Sequence, residues 1–177
     1  NVHDFKDFTR CSPTNLRYIF HSLLVLDYMK ENNLNNIDCI EIGGGYGGEC
    51  FFLMKLAKLY NINISSYTIF DLLEASQLQT KYLNNLELNV NCYQLEDFNN
   101  LKENSFLISN YAFSEIPLDI QEKYTTAVLN PYVSIGHLCW NNIPIYKFIE
   151  NGIIEKEEEY PKTGINNYYV KFKVKNS

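Results

Sequence analysis

The string Glu41-Ile42-Gly43-Gly44-Gly45-Tyr46-Gly47-Gly48 constrains what this chain can fold into more than any other feature. It stands between a short apolar run, 37–42, and a segment from Glu49 to about Leu59 with almost no polar face before Lys55 and Lys58. The first reads as a strand and the second as a buried helix. Glycines at such a junction permit positive φ and let the backbone approach a ligand closely. The helix N-terminus behind them offers free N–H groups. Gly43, Gly45 and Gly48 satisfy G-x-G-x-x-G, the dinucleotide fingerprint. Glu41, Gly43, Gly45 and Gly47 equally satisfy acid-x-G-x-G-x-G.

The rest of the chain predicts a sheet around that junction. Residues 1–12 read as an irregular leader. Ser12-Pro13-Thr14 then sets a capping residue and a proline ahead of helical spacing at Leu16, Ile19, Phe20, Leu23 and Leu24, so a helix is expected to about Lys30. Strands are expected over 64–70, 90–95, 105–109 and 133–139. Helices are expected over 72–83, from Pro117 and Asp119 to a stop at Asn130-Pro131, and over 144–149. Residues 153–160 and 168–174 read as a hairpin turned by Pro161-Lys162-Thr163-Gly164. Strand–helix alternation implies an α/β fold: a mostly parallel, seven-stranded, Rossmann-like sheet with helices on both faces. The closing hairpin adds an antiparallel edge strand. One domain over 13–177 is expected, and with a start at Asn1 rather than Met it is expected to be a piece of a longer chain.

Composition narrows the function classes. A net charge of −6 without a basic stripe argues against nucleic acid. No apolar run approaches the roughly 18 residues of a membrane helix. The cysteines (Cys11, Cys39, Cys50, Cys92, Cys139) are odd in number and scattered, so reduced thiols in a cytoplasmic setting are expected rather than a disulfide framework or zinc site. No Asp/Glu/His trio has metal-ligand spacing, and no metal is assigned.

Asp71 closes the second central strand, 28 positions after Gly43. Ligands in open α/β sheets lie outside the carboxyl ends of strands, where a carboxylate can accept from both ribose hydroxyls of a nucleoside-containing cofactor. It can also simply cap the helix that follows. A helix before the first strand and a terminal hairpin depart from the usual nicotinamide-binding domain, which starts directly with its glycine strand and continues in parallel to a sixth strand. Glu41 likewise suits a cationic cofactor better than a pyrophosphate.

The glycine string resembles motif I of class I S-adenosylmethionine (SAM)-dependent methyltransferases. With Phe70-Asp71-Leu72-Leu73-Glu74-Ala75, Gln77-Leu78-Gln79, Tyr82-Leu83, the segment Ile108 to Glu115 and the segment Glu159 to Asn167, the chain resembles the sugar O-methyltransferase family from about Asn15 to Val170. The resemblance implies SAM as cofactor and a sugar or nucleotide-sugar hydroxyl as acceptor. It implies a cofactor site drawn from Glu41, Gly43, Gly44, Gly45, Tyr46, Gly47, Asp71, Leu72 and Asn110.

Methyl transfer needs in-line positioning and a base for the hydroxyl proton. Asp97 is placed to accept from the adenine amine, with Phe98 near the ring, or is a solvated turn acid. Arg17 is placed to pair with the cofactor carboxylate, supported by Asn15, or is a surface arginine. His137 is the first candidate for the base, against a packed core histidine. Glu115 and Glu159 are further catalytic candidates, against a helix-entry acid and part of the solvated run 155–159. Tyr46 and Tyr111 shape the pockets or pack the core. His21, one helical turn beyond Arg17, reads as packed or exposed. Three other readings stay open: an NAD(P)-linked oxidoreductase or epimerase, an inert methyltransferase-like scaffold within a longer protein, and a SAM enzyme whose acceptor is a nitrogen or a phenol.

Overall fold

The computed structural model describes residues 2–6, 9–145, 147–149 and 151–175. The leader is not irregular: β1 (His3–Phe5) and β2 (Thr9–Cys11) pair antiparallel, His3 opposite Cys11. Ser12 caps α1 (Pro13–Glu31), its Oγ accepting from the Asn15 N–H at 3.3 Å, and Pro13 opens the first turn.

The body is one seven-stranded sheet. Its strands are β3 (Ile37–Ile42), β4 (Ile64–Phe70), β5 (Asn91–Tyr93), β6 (Ser105–Asn110), β7 (Val133–Trp140), β8 (Gly152–Glu158) and β9 (Tyr168–Val174). They lie in the order β5-β4-β3-β6-β7-β9-β8, parallel from β5 to β7, with β9 antiparallel to both its neighbours. The antiparallel strand is therefore not at the edge. It is inserted between β7 and β8, and β8 is the edge. β8 is exposed throughout and carries Glu155, Lys156, Glu157 and Glu158, charges that protect an open edge from pairing.

Side-chain alternation divides the core. Cys39, Tyr67, Ile69, Phe106, Ile108 and Ile135 face α1 and α2 (Gly48–Ala57), while Ile40, Ile42, Phe70, Leu107, Leu138 and Trp140 face the other layer. Connecting helices are α3 (Leu73–Asn85), α4 (Ala112–Glu115), α5 (Leu118–Tyr124) and α6 (Asn130–Tyr132). Helical backbone does not stop at Asn130-Pro131. A π-helical turn, Thr125–Leu129, widens the backbone just before the proline and lets it sit in α6. The third strand is shorter than expected, because 94–97 turns back with the Asp97 N–H on the Gln94 carbonyl at 3.2 Å. Among the described residues of 144–149 there is no helix. Packing holds that segment instead: Phe148 is fully buried and stacks on Trp140 at 5.6 Å. No helix among the described residues is long and apolar enough to cross a membrane.

Candidate functional site

Strand order reverses between β3 and β6, which opens a crevice at their carboxyl ends. The glycine loop leaves β3 there, and Tyr111 leaves β6 beside it. The Gly43 N–H bonds to the Phe70 carbonyl at 2.8 Å, fixing the start of the loop against β4. Gly43 has φ +77°, and a Cβ built on it would lie 2.0 Å from the Ala112 Cβ. A Cβ on Gly44 would fall 2.6 Å from Ile69 Cγ2. No side chain fits at either position, so the backbone itself forms the wall.

Three clefts run in series along this crevice. The first, about 520 Å³, is lined by Gly43, Asp71, Leu72, Gln94, Glu96 and Glu115, among others. Asp71 Oδ1 accepts from the Leu72 N–H at 2.9 Å, while Oδ2 accepts from Gln79 Nε2 at 2.9 Å. The carboxylate thus holds the turn at Leu72 and lines a ligand-sized cleft, while the helix that follows has no side-chain cap. Asp97 lies outside the lining, its carboxylate taken by Gln94 Nε2 at 2.7 Å. Gln94, Leu95 and Glu96 line the cleft in its place, because β5 ends two residues early. Phe98 packs edge-on against Phe70 at 5.4 Å and belongs to the core. Glu115 is an exposed carboxylate in this lining, bonded by Asn141 Nδ2.

The second cleft, about 270 Å³, shares Gly43 with the first and is lined by Arg17, His21, Glu41, Glu49, Asn110 and Tyr111, with Gly44 and Gly45. It is rich in buried polar groups. Glu41 is buried and accepts from the Tyr67 hydroxyl at 2.8 Å; burial pushes its carboxyl up to about 7 despite that bond. Glu49, 1 % exposed, accepts from the Ser22 hydroxyl at 3.1 Å on Oε1, leaving Oε2 without a partner; burial raises this carboxyl well above the ordinary range. Both polar atoms of the Asn110 amide are buried and unpartnered. Tyr46 does not line the cleft. Its hydroxyl donates to Asn15 at 3.3 Å and its ring meets Tyr18 and Tyr82 edge-on, so it clamps the loop from behind, and Asn15 serves Tyr46 rather than Arg17. Gly47 also sits behind, with φ +94°, its N–H on the Gly44 carbonyl at 2.8 Å.

The third cleft, about 530 Å³, shares Arg17 and His21 with the second. Its other walls are Pro13, Leu16, Phe20, Pro161, Thr163 and Tyr169. Arg17 is exposed and makes no ion pair among the described residues. His21 is only 3 % exposed; burial, then the Arg17 charge, bring its pKa down to about 4 against the pull of Glu159, so the ring is neutral at pH 7. Glu159 is not available to a ligand. Its buried carboxylate accepts from the Tyr111 hydroxyl, from the Thr163 N–H at 2.8 Å and from Thr163 Oγ1 at 2.9 Å. Burial alone would raise its pKa, but these donors hold it below the usual carboxylate range. It positions Tyr111, whose ring lies 6.1 Å from that of His21.

His137 is not placed to act as a base. It lies mid-strand in β7, three residues short of the carboxyl end, is fully buried between the rings of Tyr28 and Tyr169, and lines none of the three clefts. Neither ring nitrogen has a hydrogen-bond partner, and burial lowers its pKa to about 3. The histidine at the site is His21, whose one sequence signal was its four-residue spacing from Arg17.

No sequence-family profile and no curated protein sequence matches the chain. Solved structures do match its fold. The plantazolicin methyltransferase BpumL, in complex with a pentazolic desmethylPZN analog and SAH, superposes with a TM-score of 0.62 at 12 % identity, covering 93 % of this chain and 87 % of that one. The mitomycin 7-O-methyltransferase MmcR gives 0.61 at 8 %, covering 92 % of this chain and 54 % of that one. A SAM-dependent methyltransferase from Clostridium acetobutylicum ATCC 824 gives 0.52 at 15 %, covering 91 % and 68 %. The chain has the Rossmann-like methyltransferase fold, with its C-terminal antiparallel hairpin.

Proposed function

We propose that this chain is a SAM-dependent methyltransferase that methylates a hydroxyl of a small-molecule acceptor, a sugar or nucleotide sugar being the class its motifs imply. The observation that carries the reading is the serial arrangement of three clefts: Asp71 in the first, Gly43 at the first junction, Arg17 and His21 at the second. The residues fit SAM. Asp71 offers a carboxylate for ribose hydroxyls, Gly43 to Gly45 present bare backbone, and the orphaned Glu49 Oε2 and Asn110 amide await polar partners. When bound, the cofactor supplies a methyl group on a sulfonium.

The chain's own work is positioning. Leu72 and Leu95 flank the first cleft with apolar surface, and Arg17 meets a carboxylate at the second junction. His21 stands between the second cleft and the acceptor cleft with its ring neutral, so a nitrogen lone pair can take the acceptor's hydroxyl proton. Tyr111, held by Glu159, braces that ring.

One observation favours a second acceptor class. Pro13, Leu16, Phe20, Pro161 and Tyr169 make the acceptor cleft mostly apolar, which suits a hydroxyl on an aromatic or otherwise apolar scaffold. Two of the structures this chain superposes on are, by name, a plantazolicin methyltransferase and a mitomycin 7-O-methyltransferase.

Calorimetric titration with S-adenosylhomocysteine (SAH) and with NAD, using Asp71→Ala as control, tests the cofactor. Micromolar SAH binding lost in the variant supports the reading, and NAD binding without SAH binding overturns it. Transfer of labelled methyl from SAM to nucleotide sugars or to phenols then separates the acceptor classes.

A further inference from the structure

We infer that Glu41 and Glu49 form a two-carboxylate ammonium site that takes the α-amino group at the amino-acid end of the cofactor and releases a proton to solvent as it binds. The inference rests on the SAM reading above and adds to it a second acid, Glu49, and a proton linkage.

Glu49 stands in the first turn of α2 directly behind the glycine loop, and it lines the second cleft together with Glu41 from β3. Each carboxylate spends an oxygen on a neutral donor of the scaffold: Glu41 Oε2 on the Tyr67 hydroxyl, Glu49 Oε1 on the Ser22 hydroxyl. Glu49 Oε2 is buried and has no partner. No lysine or arginine among the described residues pairs with either acid, although Arg17 lines the same cleft. An uncompensated carboxylate at such depth is costly, and two facing each other are costlier, so a cation is the partner their chemistry demands. An alkylammonium has three N–H donors. Glu49 Oε2, Glu41 and the unpartnered Asn110 Oδ1 supply three acceptors in one cleft.

The groups facing this pair are Tyr18, Ser22, Arg17 and His21 from α1, Tyr67 from β4, Asp71 just beyond β4, and Asn110 and Tyr111 at the end of β6. Burial raises both carboxyls, the Asp71 charge raises Glu41 further and the Glu41 charge raises Glu49 further, so the pair holds protons near neutrality when no cation is present. An ammonium favours the charged form. The carboxyl O–H bond breaks, the proton goes to solvent, and the electron pair stays on oxygen facing the ligand.

Calorimetry on the whole chain tests this with three ligands: SAH, decarboxylated SAH, which keeps the ammonium, and 5′-methylthioadenosine, which lacks it. Glu49→Gln keeps an acceptor for Ser22. It is expected to weaken SAH and decarboxylated SAH by about tenfold to a hundredfold, the scale of a charge-assisted bond, and to leave 5′-methylthioadenosine within about twofold. Retained binding of that third ligand also reports a folded variant. On the unmodified protein at pH 7, the heat of SAH binding is expected to differ between phosphate and Tris by an amount matching release of up to about one proton, with no difference for 5′-methylthioadenosine. SAH affinity is expected to rise between pH 6 and pH 8. Equal weakening of all three ligands, or SAH binding whose heat is independent of buffer, overturns the ammonium site and leaves the SAM reading standing. Failure of SAH to bind the unmodified protein overturns both.

Discussion

Gln79 holds Asp71 in place: its side-chain nitrogen donates to Asp71 Oδ2 at 2.9 Å and, with its second proton, to the Gly45 carbonyl at 2.9 Å. One fully buried amide on α3 thus ties the acid at the end of β4 to the glycine loop after β3. Gln79→Met fills similar space without either donor. We expect SAH and 5′-methylthioadenosine to weaken together by about tenfold, because the damage lies at the ribose end, and urea stability to fall by about 1–3 kcal/mol. Weakening confined to SAH would place Gln79 elsewhere in the mechanism.

Gly43 and Ala112 leave each other no room. Gly43→Ala puts a methyl 2.0 Å from the Ala112 Cβ at φ +77°, so overpacking and backbone strain act together, and a loss of about 2–4 kcal/mol is expected by urea unfolding. The double variant Gly43→Ala/Ala112→Gly relieves the clash and leaves the strain. A cycle across the pair is therefore expected to recover about half the loss. Full recovery would show that φ carries no penalty there.

These contacts mark how far sequence alone reaches. The glycine loop, Asp71, the strand alternation and the terminal hairpin were legible because each leaves a local trace: special backbone residues or a two- or 3.6-residue period. What tertiary packing decides was not. His137 alternates correctly with Ile135, yet nothing local says that β7 continues to Trp140 and buries it under Tyr28. His21 reaches the site only because α1 crosses the crevice, and Glu49 looked like the opening residue of an apolar helix. The acids from Glu155 to Glu159 look alike in sequence. Glu155, Glu157 and Glu158 lie on the exposed β8, while Glu159 turns inward to Tyr111 and Thr163. Phe148 and Ile149 are anchored by burial rather than by helical backbone, so periodicity misassigned them.

His137 gives a pH prediction. Its pKa falls from 6.5 in the unfolded chain to about 3 in the fold, because burial penalises the imidazolium. For a depressed pKa the stability is fully present above 6.5 and is lost progressively as pH falls toward 3. His137→Leu removes this proton uptake and two unpartnered nitrogens. The variant is expected to be about 1 kcal/mol more stable than the parent at pH 7, with the gap widening by on the order of 2 kcal/mol by pH 4.5. Glu41 works in the opposite direction: its raised pKa gives stability below 4.5 that is lost toward 7, so only the difference between the two proteins isolates the histidine. Urea midpoints at pH 7, 5.5 and 4.5 provide that difference. A constant gap would show that His137 is hydrogen-bonded in solution. SAH affinity is expected to be unchanged, as His137 lines none of the three clefts.

Arg17 gives the complement to the ammonium site. Its guanidinium is exposed, pairs with no acid among the described residues, and lines both the second cleft and the acceptor cleft. A carboxylate at that junction gains a charge-assisted bond, partly screened by water. Arg17→Ala is therefore expected to weaken SAH by about fivefold to tenfold while leaving decarboxylated SAH and 5′-methylthioadenosine unchanged, and the loss is expected to shrink at high salt. Removing this charge also lifts the second cause that depresses His21, after burial, so the pKa of His21 followed by NMR is expected to move up from about 4 toward its ordinary value. If SAH binding is insensitive to the substitution while the His21 resonance moves, Arg17 serves the acceptor cleft instead, and an anionic group on the acceptor becomes its partner.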